Sequence, residues 1–187
     1  MSISRGEIIN KLEEIDRYEL VEGSAIREDN FFNDFVSNLD PKPIDIIEIG
    51  TANGVSTTVL ASIGRLVYTY DIFHRDAEFV WNYFGVRHKI RYSVTPQEQI
   101  DDDIQAGIHK RITSPEHDHH FNFAFIDGGN SYQVAEHYFN SVKFCGRVLF
   151  HDYHNPGIRE FLDKIEAKPM GKILSNGYHR YGYGEAK

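Results

Sequence analysis

The chain predicts an α/β fold: a doubly wound, Rossmann-like sheet, mostly parallel, with helices on both faces. Three observations carry that reading. From residue 44 onward, short apolar runs alternate with stretches of helical periodicity. The run Ile46-Ile47-Glu48-Ile49 breaks at the turn Gly50-Thr51-Ala52-Asn53-Gly54 and resumes as the helix-suited Val55-Ser56-Thr57-Thr58-Val59-Leu60. Three later apolar runs end in acidic residues, at Asp71, Asp127 and Asp152.

Taken in order, Ile8, Ile9, Leu12 and Ile15 repeat at helical spacing and predict an amphipathic helix over residues 4–18. Asp29 or Asn30 is placed to cap a second helix carrying Phe31, Phe32, Phe35 and Val36, which ends before Pro41 and Pro43. These two leading helices are expected as a cap, residues 1–40, against the sheet edge, with an α/β core over 44–187 and one domain in all. In the core, strand 44–49 leads to helix 55–64, strand 66–71 to helix 76–85, and strand 88–93 to a helix over 97–109. Strand 121–126, helix 132–144, strand 147–150 and helix 156–167 follow, and the tail holds weak strands near 171–174 and 178–183. No internal repeat or low-complexity linker is visible.

At 187 residues and 21.6 kDa the chain is long enough to bury a substantial core. A formal net charge of −8 argues against nucleic acid or an anionic membrane as partner, while leaving room for a small anionic substrate. The single cysteine, Cys145, can form no intrachain disulfide, which fits a reducing cytoplasm. The first 20 residues carry no apolar core of a signal peptide, and no run approaches the ~18 apolar residues of a membrane span. Aromatic residues in the first helices leave room for a homodimer interface.

The glycine turn is the chemical centre of the sequence. Strand, turn and helix in that order bring backbone N–H groups and a helix N-terminus to the carboxyl edge of a sheet, where open α/β folds bind ligands. A dinucleotide fingerprint reads G-x-G-x-x-G, and this turn lacks its middle glycine, so a pyrophosphate is disfavoured. Glu48 before the turn suits a cationic ligand better than a phosphate, such as a nucleoside with a positive amino-acid tail. Asp71, 21 residues beyond Gly50 at the tip of the next strand, is placed to accept hydrogen bonds from a ribose diol.

Two further strand ends carry reactive groups: Ile126-Asp127-Gly128-Gly129-Asn130-Ser131-Tyr132 and Phe150-His151-Asp152-Tyr153-His154-Asn155-Pro156-Gly157. In a parallel sheet both face the crevice beside Gly50. Asp127, His151 and Asp152 can then converge, either to take a proton from an acceptor hydroxyl or to hold a divalent metal. The loop 111–120 holds His117, His119 and His120, which read as a solvated polar loop because near-adjacent residues seldom ligate one ion.

These motifs in this order, from about Ile26 to Ile165, resemble the class I S-adenosylmethionine-dependent methyltransferases. Within them the chain is most similar to a small bacterial O-methyltransferase-like group that includes macrocin-type sugar O-methyltransferases and cephalosporin-hydroxylase-like proteins. The resemblance implies a seven-stranded sheet with an antiparallel last strand. It also implies methyl transfer from S-adenosylmethionine to a small-molecule acceptor, at oxygen. It places the methionine end of the cofactor on Glu48, Gly50, Thr51, Gly54 and Ser56, the ribose on Asp71, and the adenine beside Ile72 or Phe73. Asp127 lies near the methyl donor. Relatives that use magnesium put one ligand there and an acidic pair after the fifth strand, where this chain has His151-Asp152. The group has a histidine where this chain has Asn130, so a proton-accepting role held by that histidine passes here to Asp127, His151 or His154, or is lost.

Acceptor contacts are expected from residues 20–35, 93–98 and 153–158. Two other classes compete with methyl transfer: a protein that binds S-adenosylmethionine without transferring its methyl, and a nicotinamide-dependent oxidoreductase, against which the missing glycine argues. Nothing resembles the Asn-Pro-Pro-Tyr motif of base-flipping methylases, because Asn155-Pro156 follows the wrong strand and continues into Gly157.

Overall fold

A computed structural model describes residues 3–21, 24–26, 31–40, 45–112, 121–175 and 180–186. Seven strands form one sheet: β1 (Asp45–Ile49), β2 (Leu66–Asp71), β3 (Ile90–Val94), β4 (Phe121–Ile126), β5 (Val148–Phe150), β6 (Lys168–Ser175) and β7 (Arg180–Ala186). Their order across the sheet is β3-β2-β1-β4-β5-β7-β6. The first five pair in parallel, while β7 runs antiparallel to both β5 and β6. The strand order reverses between β1 and β4, the position at which doubly wound sheets open a ligand crevice.

The helices are α1 (Arg5–Glu14), α2 (Phe31–Ser37), α3 (Val55–Ile63), α4 (Ala77–Tyr83), α5 (Ile100–Ile112), α6 (Tyr132–Val142) and α7 (Pro156–Lys164). Side chains alternate along each buried strand and so build two cores. Ile46, Phe123, Phe125 and Leu149 face α1 to α4, whereas Ile47, Ile49, Ala124, Ile126 and Phe150 face α5 to α7. Both faces of β1 are covered, which is why its sequence is a continuous apolar run apart from Asp45 and Glu48. Asp45 is fully buried and pays for it with a bidentate pair to Arg65, at 3.1 and 2.8 Å.

The leading helices differ from the expected edge cap. They lie on a sheet face: Phe32 stacks 4.5 Å from Phe125 of β4, and Ile8, Leu12 and Val36 are fully buried in the same core. Burying these side chains against the sheet removes far more apolar surface from water than an edge contact allows. The expected cap residues Asp29 and Asn30 lie outside the described residues, as does the loop with His117, His119 and His120.

Several boundaries also move. Helix α1 ends early because Asp16 turns to φ 56° and a short 3-10 turn, Tyr18–Val21, follows. A 3-10 turn at Arg87–Lys89 delays β3 to Ile90, and α7 stops before Glu166 at φ 55°. The tail strands are longer than the apolar pattern suggested, because pairing with β5 and with each other specifies them. Among the described residues no helix is long and apolar enough to cross a membrane.

Candidate active site

Parallel strands end at one edge, so Gly50, Asp71, Asp127 and His151 emerge side by side there. Between them opens a cleft of about 310 Å³, lined by Gly50, Ala52, Asp71, Ile72, Phe73, Arg75, Asp127, Gly128, Gly129 and Asn130, with Ile49, Tyr70, Ile100 and Tyr138 as its floor. This volume lies at the small end of the ligand-site range.

The glycine turn is held from several sides. Gly50 adopts φ 101°, and its N–H donates to the Tyr70 carbonyl at 2.8 Å. A Cβ at Gly50 would stand 1.9 Å from the Asp127 carbonyl oxygen, so only glycine lets the turn touch the end of β4. Ala52 occupies the position where the dinucleotide fingerprint has its middle glycine, yet it still takes the left-handed φ of 45°. The strain aims its N–H at Asp71 Oδ2, 2.8 Å away, while Phe73 N–H donates to Oδ1 at 2.9 Å. Asp71 is thus fixed at the mouth of the cleft. Gly54 begins α3 at φ 78°; its carbonyl accepts from Thr58 N–H and Oγ1 and from the Trp81 indole N–H at 3.0 Å, which ties the turn to α4.

Of the residues assigned to the cofactor by resemblance, Gly50, Asp71, Ile72 and Asp127 line the cleft. Glu48, Thr51, Gly54 and Ser56 lie behind it. Glu48 is fully buried and accepts hydrogen bonds from Ser56 at 2.7 Å, Thr57 at 2.5 Å and Thr69 at 2.6 Å; Thr69 in turn meets the Thr51 hydroxyl at 2.6 Å. Burial pushes the Glu48 carboxyl up to about 7, against the three hydroxyls that favour its charged form. Its role here is to knit β1, β2 and α3 together beneath the turn.

The other end of the edge is charged. His151, 7% exposed, places Nδ1 2.9 Å from Asp127 Oδ1 and 3.0 Å from Asp152 Oδ1. The ring nitrogen thus lies between two carboxylates, which hold it by charge. Burial alone would lower the imidazole pKa, but the two carboxylates overcome it and push the value up to about 10. Burial acts to raise Asp152, and the imidazolium outweighs it, holding that carboxyl below its usual value. Asp152 sits at φ 59°, a strained backbone for a non-glycine residue.

Asp127, His151 and Asp152 do converge, with one ligand atom from each within 4.8 Å of the others. Two carboxylates and an imidazole suit a softer divalent ion better than magnesium, which prefers an octahedral shell of oxygens. Asn130 lines the cleft and accepts from Asn155 Nδ2 at 3.4 Å. Asn155 and Ser131 cap α7 and α6, and a Cβ at Gly157 would come 2.8 Å from Ser131 Cα, so the two helix N-termini meet at this edge.

Sequence reasoning missed Tyr70, Arg75, Ile100 and Tyr138 in the cleft. Their only local signal is ordinary strand, loop or helix patterning.

No protein-family profile matches the chain, and no curated protein does. Solved structures do match. An O-methyltransferase from Bacillus cereus, in complex with S-adenosylhomocysteine, superposes with a TM-score of 0.66 at 16% identity over 96% of this chain and 90% of its own. The fold is that of the class I methyltransferases. An N1-methyltransferase for 1,6-didemethyltoxoflavin from Burkholderia thailandensis matches with a TM-score of 0.56 at 12% identity, over 97% of this chain and 85% of its own. An rRNA methylase from Streptococcus thermophilus gives 0.58 at 13% identity, over 82% and 91%. The methyltransferase fold is therefore shared by proteins with quite different acceptors.

Proposed function

We propose that the protein is an S-adenosylmethionine-dependent methyltransferase that methylates a small hydroxyl-bearing acceptor. One observation carries the reading: the glycine turn and Asp71 are locked to each other at the switch point of a methyltransferase-type sheet, with a charged Asp-His-Asp group at the other end of the same edge.

Bound there, S-adenosylmethionine supplies a methyl made electrophilic by its sulfonium. The N–H groups of the turn and the close approach of Gly50 to Asp127 receive the amino-acid end, and Asp71 accepts from the ribose hydroxyls. Asp127 faces the cleft and takes the proton of the acceptor hydroxyl. His151 acts by charge: as an imidazolium it has no free lone pair to serve as a base, so it orients Asp127 and neutralises the pair of acids. Asp152 completes that ion group and has no separate role in proton transfer. The net charge of −8 favours a small acceptor over a polyanion such as RNA.

Calorimetric titration with S-adenosylhomocysteine tests the first half, with micromolar binding expected. A screen of phenols and sugars with labelled donor tests the second. Asn130 favours one other reading, a protein that binds the nucleoside without transferring methyl, because asparagine cannot serve as a base. Tight binding with no product from any acceptor would decide for it.

A further inference from the structure

Asn130 follows β4 and lines the same cleft as Asp127. Which end of its amide is left for a ligand is decided by a short relay of hydrogen bonds. The Gly157 backbone N–H donates to Asn155 at 3.1 Å, where Asn155 caps α7. A backbone N–H only donates, so the Asn155 atom that receives it is Oδ1, and the other end of that amide is the donor Nδ2. Asn155 Nδ2 then donates to Asn130 at 3.4 Å, which makes the receiving atom the Asn130 Oδ1. With its oxygen turned to Asn155, Asn130 has its NH2 group left for the cleft, and no described residue accepts from it. The relay is braced by the loop itself, because a Cβ at Gly157 would come 2.8 Å from both Ser131 Cα and Tyr132 N. Asp127 and Asn130 therefore offer opposite chemistry to one ligand: a carboxylate that accepts and an amide that donates.

We propose that Asn130 sets the acceptor class: its NH2 group donates to a carbonyl or carboxylate oxygen that the acceptor carries besides the hydroxyl to be methylated. The proposal rests on the methyl-transfer reading given above and adds what the second polar group of the acceptor must be. Asparagine cannot take the proton, but it discriminates by the direction of its hydrogen bonds. A hydroxy acid or hydroxy ketone answers both groups, its hydroxyl going to Asp127 and its carbonyl oxygen to Asn130. An acceptor with a methyl in place of the carbonyl leaves the amide N–H groups desolvated and unpaired, and one with an ammonium sets donor against donor.

The test is methyl transfer from labelled S-adenosylmethionine to hydroxybenzoates and hydroxyacetophenones, with the cresols as counterparts that lack the carbonyl. Wild type, Asn130→Asp and Asn155→Asp are compared, with S-adenosylhomocysteine calorimetry alongside. The wild type should favour the carbonyl compounds by about tenfold or more in kcat/KM. Asn130→Asp keeps the shape and the bond from Asn155 but turns the donor into an acceptor. It should lose about tenfold or more on both carbonyl series and little on the cresols, with nucleoside affinity unchanged and melting within a degree or two of wild type. Asn155→Asp still caps α7, but its second oxygen draws the Asn130 NH2 away from the cleft, so the preference should fall several-fold. Cresols methylated as well as the carbonyl compounds overturn the proposal and leave the methyl-transfer reading standing. So does an Asn130→Asp loss confined to the carboxylates (charge repulsion), a loss equal on all acceptors, a variant that melts several degrees lower (a structural role), or full preference in Asn155→Asp. Nucleoside binding with no product from any acceptor sinks this inference together with methyl transfer to small hydroxyl compounds. A wild type that binds no nucleoside sinks the methyltransferase reading itself.

Discussion

The two ends of the cleft solve the same problem, placing polar groups at the tip of a buried sheet, in opposite ways. At the β1–β2 end the work is done by backbone. Gly50, Ala52 and Gly54 take left-handed conformations, and N–H groups meet one carboxylate, Asp71. The acid buried beneath, Glu48, is surrounded by neutral hydroxyls. At the β4–β5 end side chains do the work, and an imidazolium sits between two carboxylates. The first end tolerates little change in shape. The second depends on charge as well. A binding subsite and a reacting subsite differ in just this way, since one needs complementarity and the other a group that can change its proton.

The largest effect should break the backbone end. Gly50→Val drives a side chain into the Asp127 carbonyl and should abolish S-adenosylhomocysteine binding, whereas Gly6→Ala, whose Cβ meets nothing within 4 Å, should bind like wild type. Calorimetry on both reads it, and retained binding by Gly50→Val would remove the turn from the site. Next, Asp127→Asn should lower turnover about 10²- to 10⁴-fold with nucleoside affinity held within a few-fold. The same change leaves the imidazolium one carboxylate, so the His151 pKa, read by ¹⁵N NMR, should drop well below the wild-type value of about 10. A ring already neutral at pH 8 in the wild type would undo the assignment of its role.

The pH dependence of stability should separate the ends by pH window, since both contributions fall as pH rises. His151 has a folded pKa raised above its usual 6.5, so its contribution is fully present below pH 6.5 and is lost as pH rises toward 10. Glu48 is an acid with a raised pKa, so the fold favours its protonated form. Its contribution is greatest below pH 4.5 and declines as pH rises through 7, by about 3 kcal/mol. Denaturant melts of Glu48→Gln between pH 4.5 and 8 should therefore be flatter than those of wild type; parallel curves would mean that Glu48 ionises at its ordinary pKa. The smallest effect belongs to Ala52→Gly, which relieves a left-handed alanine and should stabilise the fold by up to about 1 kcal/mol without weakening binding.

Much of the fold was legible because buried parallel strands write themselves as apolar runs. Ile46 to Ile49 and Phe123 to Ile126 needed only local sequence to be placed. The tail was less legible: Tyr181-Gly182-Tyr183-Gly184 has little strand character of its own, and β7 exists because β5 and β6 flank it. The leading helices were foreseen as helices, but their seat on the sheet face was not, since periodicity gives an apolar stripe and not the surface it meets.

By itself the sequence determined the strand–turn–helix order, the acids that end the strands, and so the edge at which the cleft opens. These follow from chain-local rules of burial and backbone freedom. Tertiary structure alone decided that Glu48 turns away from the cleft into a nest of hydroxyls, that His151 lies between two carboxylates that raise its pKa, and that Tyr138 and Ile100 reach a cleft shaped by the glycines that follow β4. Each depends on which distant groups share a few ångströms of low-dielectric space, and no spacing along the chain encodes that.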